Sequence, residues 1–479
     1  MQNFSLKYFH PVFYLLIVPN FFLFFVADYL GIGRSPVNLD YLFAALFVYS
    51  RVPIIGYLVF IVFFILDILA LLVQVFTFAR LEHLVYLSSF LPDAPKAYQI
   101  ATLAALLWLA VFMVNAVKLN KNTNLTQALV LFNLALGIFG VHVYTVDANN
   151  TDKVWRVHNA PLVGSPTLHT LKHRSTLFYQ YFYADGETFS KFVPPSATQF
   201  NNALFYESGN EKLLLIVNES WGVTKDERIN AELMRPITQL NDMVKNVHSG
   251  QINFLGATVA GELRELCHLS PNHFNLRNAA SGLENCIPHK LKQQGYSTSA
   301  FHAASGVMYD RIYWYAKAGF DSARFFENLS WTRRCYSYPG GCDVELINAV
   351  VADVAQPGKR FTYWLTLNSH AIYDERDIVT DQFDCLQFAV ESSTQTCRNL
   401  KLQAQFFHVL AEQIADNKLA GAKVLIVSDH APVITNKIEM EKYFIDNKVN
   451  WLSFDIPANA DIFTIENGKT TAALLSGKQ

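Results

Sequence analysis

The chain has 479 residues, of which 51% are hydrophobic and only 16% charged, with a formal net charge of −2. That balance is too apolar for an ordinary soluble protein of two domains and too polar for a transporter embedded along its whole length. So small a net charge provides no global basic field, and no nucleic-acid partner is expected.

The apolar excess is concentrated in residues 1–147, where runs of Phe, Leu, Val and Ile reach the roughly 20 residues that a bilayer-crossing helix needs. A first span covers about residues 10–30 and is too long for the apolar part of a cleaved signal peptide. Residues 40–78 are interrupted by Arg51 and Pro53, which predicts two helices joined by a tight turn, the first of them short. Spans over about 100–117 and 127–146 bring the count to five, or to four if residues 40–78 hold one helix and an interfacial segment. With Lys7 left inside, five spans carry the rest of the chain out of the cytoplasm. Arg51, Lys118 and Lys121 then face Arg34, Arg80 and Lys96 across the bilayer, a weak positive-inside bias. Asp67 falls within a span with no partner visible in the sequence and reads as a packing or lipid-interface residue.

All six cysteines lie beyond this region, and their even count and paired spacing predict disulfides in an oxidising compartment such as a bacterial periplasm. Neighbour pairing joins Cys267 to Cys286, Cys335 to Cys342 and Cys385 to Cys397, one of many connectivities that six cysteines allow. No two of them stand in a Cys-x-x-Cys arrangement, which speaks against a zinc knuckle. Residues 148–208 lack long periodic segments and read as a connecting stretch. From 209 to 479 short apolar runs alternate with amphipathic stretches, the signature of an α/β domain.

Within that domain Leu213-Leu214-Leu215-Ile216-Val217 is a buried strand ending in Asn218-Glu219-Ser220. Lys423-Val424-Leu425-Ile426-Val427 repeats the pattern and ends in Ser428-Asp429-His430, and residues 362–367 end in Asn368-Ser369-His370. Ligands of a doubly wound sheet gather outside the carboxyl ends of its strands, so these endings can converge. Any one of them is also what a strand end capping the next helix looks like. Gly256-Ala257-Thr258 opens a helical stretch, where Thr258 is either a plain N-cap or a hydroxyl at an anion-binding helix start. A threonine is a poor nucleophile until a metal or base activates it, and a divalent cation held by Glu219, Asp429 and His430 would do so. Two carboxylates, an imidazole and a hydroxyl suit Zn²⁺, while Mn²⁺ also accepts so oxygen-rich a set.

This order of features resembles the alkaline phosphatase superfamily, and within it the membrane-bound phosphoethanolamine transferases and lipoteichoic acid synthases. The resemblance implies a transmembrane helical bundle followed by an α/β sulfatase-like domain, mounted in a bacterial inner membrane with the catalytic domain in the periplasm. It implies one divalent metal ion on Glu219, Thr258, Asp429 and His430, with Thr258 forming a phospho-enzyme. Phe301-His302 with Tyr309-Asp310-Arg311 is similar to the family segment that holds the substrate phosphate or acceptor, which gives that role to His302 and Arg311, with His370 as third member. A guanidinium suits it because its planar donors engage two oxygens together; the bland alternative pairs Arg311 with a surface carboxylate. The implied reaction moves phosphoethanolamine from a phospholipid such as phosphatidylethanolamine to a glycan acceptor. Alternatives are phosphoglycerol transfer, a sulfate or phosphate ester hydrolase, and a catalytically silent scaffold of a glycan-export system. The chain departs from the family in placing Ala431-Pro432 where Gly-Glu is common, and in having no histidine between 435 and 448.

Overall fold

The structure, a computed structural model, describes residues 9–29, 34–50, 52–75, 96–119, 125–145, 162–167, 187–202, 211–279 and 281–458, with the single positions 88 and 92. Lys7, Arg51, Arg80, Lys121 and most of the 148–208 stretch lie outside the described residues. The chain divides into two compact units, one of residues 1–188 with 272–278 and one of 189–271 with 279–479.

The first unit is helical: α1 (Phe9–Tyr29), α2 (Leu39–Val48), α3 (Pro53–Val75), α4 (Lys96–Leu119) and α5 (Leu125–Thr145). By length and composition α3 is long and apolar enough to cross a membrane over Pro53–Leu71. The ten residues of α2 make a rod of about 15 Å, half the ~30 Å of a bilayer core. Large apolar side chains stay exposed along α3 (Ile54, Leu58, Val62) and α4 (Leu103, Leu106, Val111). Inside, aromatic rings interlock, with Phe22 stacked on Trp108 at 4.4 Å and Trp108 on Phe112 at 5.3 Å.

Asp67 is not the partnerless residue that the sequence suggests. Its carboxylate accepts from Arg34 Nη2 at 2.7 Å, Asn38 Nδ2 at 2.8 Å and Tyr41 Oη at 2.7 Å, while Arg34 also donates to both oxygens of Asn20. Both charges are buried, so the apolar surroundings hold a neutral, hydrogen-bonded pair instead of a lone anion. The partner escaped the sequence reading because Arg34 lies outside the spans, 33 residues away.

The second unit is built on an eight-stranded sheet. Its strands are β1 (Lys212–Asn218), β2 (Gly222–Thr224), β3 (Lys245–Asn253), β4 (Ser297–His302), β5 (Ser322–Arg324), β6 (Arg360–Leu365), β7 (Ala422–Ser428) and β8 (Phe444–Asp455). Along the sheet the order is β2-β8-β7-β1-β6-β4-β5, with β3 also paired to β8. Strands β7, β1, β6, β4 and β5 run parallel, and β8 adds an antiparallel margin with β2 and β3. Continuous Leu, Ile and Val in β1 and β7 are almost completely buried, as expected of strands covered on both faces. Helices α6 (Glu227–Thr238), α7 (Thr258–Cys267), α8 (Arg311–Ala318), α9 (Asp343–Val354), α10 (Gln395–Ala415) and α11 (Lys437–Tyr443) accompany the sheet.

Register decides where the chemistry gathers. Val217 of β1 pairs with Leu365 of β6 and Val427 of β7, and Leu365 pairs with His302 of β4. Four parallel strands therefore end level, and the residues after each end share one edge. All six cysteines are paired as neighbours, Cys267–Cys286, Cys335–Cys342 and Cys385–Cys397.

Candidate metal centre and nucleophile

Glu219 follows β1, and Asp429 and His430 follow β7. Single donor atoms of these three buried residues all lie within 4.8 Å of one another. The backbone around them is pinned by side chains from the end of β6 and from α10. Thr366 Oγ1 accepts from the Glu219 N–H at 2.8 Å, and Ser369 Oγ and Gln403 Nε2 donate to the Glu219 carbonyl at 2.6 and 2.8 Å. Ser220 takes a left-handed φ of 56°, turning its N–H onto Asp429 Oδ1 at 2.8 Å, where the His430 N–H also arrives at 2.6 Å. Ser428 Oγ accepts from Trp221 N–H and donates to the His430 carbonyl, both at 2.9 Å.

Thr258 enters from α7. Its place is N1: Ala257 is the N-cap, and no side chain caps this helix. The plain capping role is therefore vacated, and the hydroxyl lies 3.3 Å from Glu219 Oε2 and 3.4 Å from His430 Nε2. Gly261 lets the helix come this close, because a Cβ there would stand 2.6 Å from the Asp429 carbonyl oxygen and 2.8 Å from its Cα.

The donor set fits a cation. Asp429 Oδ2 is buried with no hydrogen-bond donor. Its neighbour is His430 Nε2 at 3.3 Å, and Nε2 stands 3.4 Å from Glu219 Oε1. His430 Nδ1 must carry the proton, since it donates to the Ala431 carbonyl at 2.8 Å, which leaves the Nε2 lone pair facing the carboxylates in the neutral ring. The contacts among Thr258, Glu219, Asp429 and His430 above span 3.3–3.4 Å, close enough for the four side chains to share one cation. Burial, then the Glu219 carboxylate, pushes the Asp429 carboxyl up to about 7. For His430 burial opposes protonation, yet Asp429 and Glu219 outweigh it and raise its pKa. A positive charge is thus favoured at the centre of this group. Asp377 lies beside Cys335 and Cys342 in a second cluster, but those sulfurs are consumed by their disulfide.

His302 closes β4, His370 lies in the turn after β6, and Arg311 opens α8. His302 donates from Nδ1 to the Leu365 carbonyl at 3.0 Å, a bond its register with Leu365 dictates, and His370 donates from Nδ1 to the Ala371 carbonyl. Both rings therefore keep Nε2 for another partner. Burial foremost, with Arg311 and then His370 adding repulsion, holds the His302 pKa far below the usual value; burial takes His370 down to about 4. Arg311 is 2% exposed, and its partner is a buried carboxylate: Nε and Nη2 donate to Glu262 Oε2 at 2.9 and 2.7 Å. Tyr315 and Tyr363 hydroxyls donate to the other Glu262 oxygen. Its Nη1 donates to the Met308 carbonyl at 3.3 Å.

The sequence reading missed Glu262, Arg264 and Glu265. They look like the solvated face of an amphipathic helix, yet all ten residues of α7 are buried. Arg264 donates to the Asp429 carbonyl at 3.0 Å and the Ser428 carbonyl at 2.5 Å, and pairs with Glu265 at 2.6 Å. The available signal was charge balance: two acids and one base on α7 leave one acid over, which Arg311 neutralises.

The sulfatase family model matches residues 212–450, from β1 into β8, so this part of the chain is a sulfatase-like domain. No curated protein matches the chain. Among solved structures it is similar to the lipoteichoic acid synthase LtaP of Listeria monocytogenes, at 15% identity and a TM-score of 0.43, over 54% of this chain and 68% of that one. It is also similar to the periplasmic domain of EptC from Escherichia coli in complex with Zn, at 12% and 0.39, over 52% and 74%. The third is the phosphoglycerol transferase GacH of Streptococcus pyogenes with sn-glycerol-1-phosphate, at 16% and 0.35, over 56% and 78%.

Proposed function

We propose that the chain is a membrane-mounted, metal-dependent transferase that moves a phospholipid head group, phosphoethanolamine in the first instance, to an extracytoplasmic glycan hydroxyl, with Thr258 as nucleophile. One observation carries this reading: a threonine hydroxyl that caps nothing lies 3.3 Å from Glu219 and 3.4 Å from His430, beside an orphaned Asp429 oxygen. Glu219, Thr258, Asp429 and His430 would hold one divalent cation, Zn²⁺ in the first instance with Mn²⁺ as the alternative, because two carboxylates, an imidazole and a hydroxyl suit the first and an oxygen-rich set also admits the second. Such an ion, when bound, lowers the pKa of a hydroxyl and offsets phosphate charge.

The chain's own groups do the rest. Glu219 Oε2 is placed to take the Thr258 proton as Oγ attacks phosphorus, while the bond from phosphorus to the diacylglycerol oxygen breaks and that oxygen takes up a proton to leave as the alcohol. A glycan hydroxyl then attacks the same phosphorus and gives up its proton, the bond from phosphorus to Oγ breaks, and Oγ is reprotonated, which frees Thr258. The positive end of α7 favours the phosphate beside Thr258. Nε2 of His302 and His370 form the side that receives substrate, and Arg311, buried with Nε and Nη2 on Glu262 and Nη1 on the Met308 carbonyl, adds positive charge there. The exposed apolar flanks of α3 and α4 suit a multi-pass mounting in a bacterial inner membrane, and the three disulfides suit a periplasmic domain. The division at 147 and 208 stands as part of this proposal.

The test supplies the full chain with phosphatidylethanolamine or phosphatidylglycerol carrying a fluorescent acyl chain and follows release of diacylglycerol. Release from the first lipid and not the second selects phosphoethanolamine. Thr258→Ala lowers the rate by on the order of a thousandfold or more, with the disulfides still formed. Parental turnover by that variant would remove the nucleophile assignment.

A further inference from the structure

Residues 335–342 form a loop closed by the Cys335–Cys342 disulfide, whose arms Arg334–Cys335 and Gly340–Gly341 pair antiparallel. The loop is built against two strand ends. After β4, the Gly341 N–H donates to the Ala303 carbonyl at 2.9 Å, and Gly340 fits because a Cβ there would stand 2.5 Å from that same oxygen. Ala303 directly follows His302. After β6, Asp343, next to Cys342, accepts from the Leu367 and Asn368 N–H groups at 2.8 and 2.7 Å, and Asn368 Oδ1 accepts in return from the Asp343 N–H at 2.5 Å. Further along, Ser337 Oγ accepts from the Asp374 N–H at 2.8 Å, and Asp377 accepts from the N–H groups of Tyr336 and Ser337 at 2.8 and 2.6 Å. From this frame Tyr338, itself buried, sets its ring 4.5 Å from the His370 imidazole. These hydrogen bonds end on residues 303, 367, 368, 374 and 377, apart from Glu219, Thr258, Asp429 and His430.

We infer that Tyr338 is a positioning residue for His370, and that the Cys335–Cys342 disulfide fixes the loop from which it acts. The inference rests on His370 serving the substrate side in the reading above. The Nδ1 bond to the Ala371 carbonyl fixes which nitrogen is free and holds one edge of the ring, through a partner only one residue away in the chain. The Tyr338 ring, 4.5 Å away and tilted 50° to the imidazole, packs against it and restricts its movement, which keeps Nε2 aimed. Misaimed contacts of this kind cost turnover without changing the cation's ligands.

The full chain is tested with the fluorescent phosphatidylethanolamine and phosphatidylglycerol probes. Tyr338→Ala should lower kcat/KM about five- to tenfold, while zinc bound per chain stays at the parental value. Tyr338→Phe, which keeps the ring, should restore it to within about twofold, and Cys335→Ser with Cys342→Ser should follow Tyr338→Ala. A second readout does not need turnover: the rate at which diethyl pyrocarbonate modifies His370, read by peptide mass spectrometry, should rise in Tyr338→Ala and not in Tyr338→Phe. Unchanged modification in Tyr338→Ala, or equal damage from Phe and Ala, overturns the inference. His370→Ala separates the two layers. If it keeps parental turnover, the substrate-side reading of His370 fails; if it loses turnover while Tyr338→Ala does not, only the role of Tyr338 falls.

Discussion

Thr258 and Asp343 illustrate how burial changes what an ordinary side chain can do. Moving the N-cap to Ala257 releases the Thr258 hydroxyl from the helix it opens and turns it to Glu219 and His430. The sequence left both N-cap and nucleophile open for Thr258, because the choice between positions 257 and 258 is made by the backbone that leads in from β3. Asp343 is buried, and that burial pushes its carboxyl up to about 7, against about 3.9 in an unfolded chain. Between those values the folded protein holds a proton that the unfolded chain has released, so stability falls as pH rises from about 4 to about 7. Asp343→Asn keeps an oxygen for the Leu367 and Asn368 N–H groups and removes the titration. Urea unfolding at pH 5 and pH 7.5 should therefore show a smaller loss in the variant, by on the order of 3 kcal/mol at most; an identical loss in both proteins would contradict this.

At the scale of elements, the three apolar runs that end in polar residues were legible because strands buried on both faces leave an unbroken signal. Their ends converge because register aligns Val217, Leu365 and Val427. Helix α7 was not legible to the same degree: Glu262, Arg264 and Glu265 carry the pattern of a wet face and are buried by partners that arrive from β7, α8 and β6. Its closeness to the metal ligands depends on Gly261. Gly261→Ala places a methyl group against the Asp429 backbone, should cost about 1–3 kcal/mol, and should lower the zinc retained after dialysis. Full zinc retention with unchanged melting would show that the helix can withdraw freely. Glu262→Ala leaves the buried Arg311 charge unpaired, and a loss of about 3–5 kcal/mol in unfolding free energy is expected.

For the whole molecule, composition separated an apolar part from an α/β part, and the cysteines pointed to the pairing that the structure contains. Contacts over long sequence separations were hidden, above all Arg34 with Asp67. That pair should be costly to break and cheap to replace. Asp67→Ala alone is expected to destabilise the detergent-solubilised chain by about 3–5 kcal/mol, whereas Arg34→Met with Asp67→Leu should recover most of it; a double variant as weak as the single one would mean that the charges themselves are required. The apolar flanks of α3 and α4 predict that the full chain stays with the membrane pellet after carbonate extraction at high pH. The central claim is chemical, and the most direct measurement is peptide mass spectrometry of the chain acid-quenched during turnover of phosphatidylethanolamine or phosphatidylglycerol. A phospho-head group on Thr258, absent when zinc is chelated, is the predicted result; turnover with Thr258 unmodified and the adduct on another residue would contradict it.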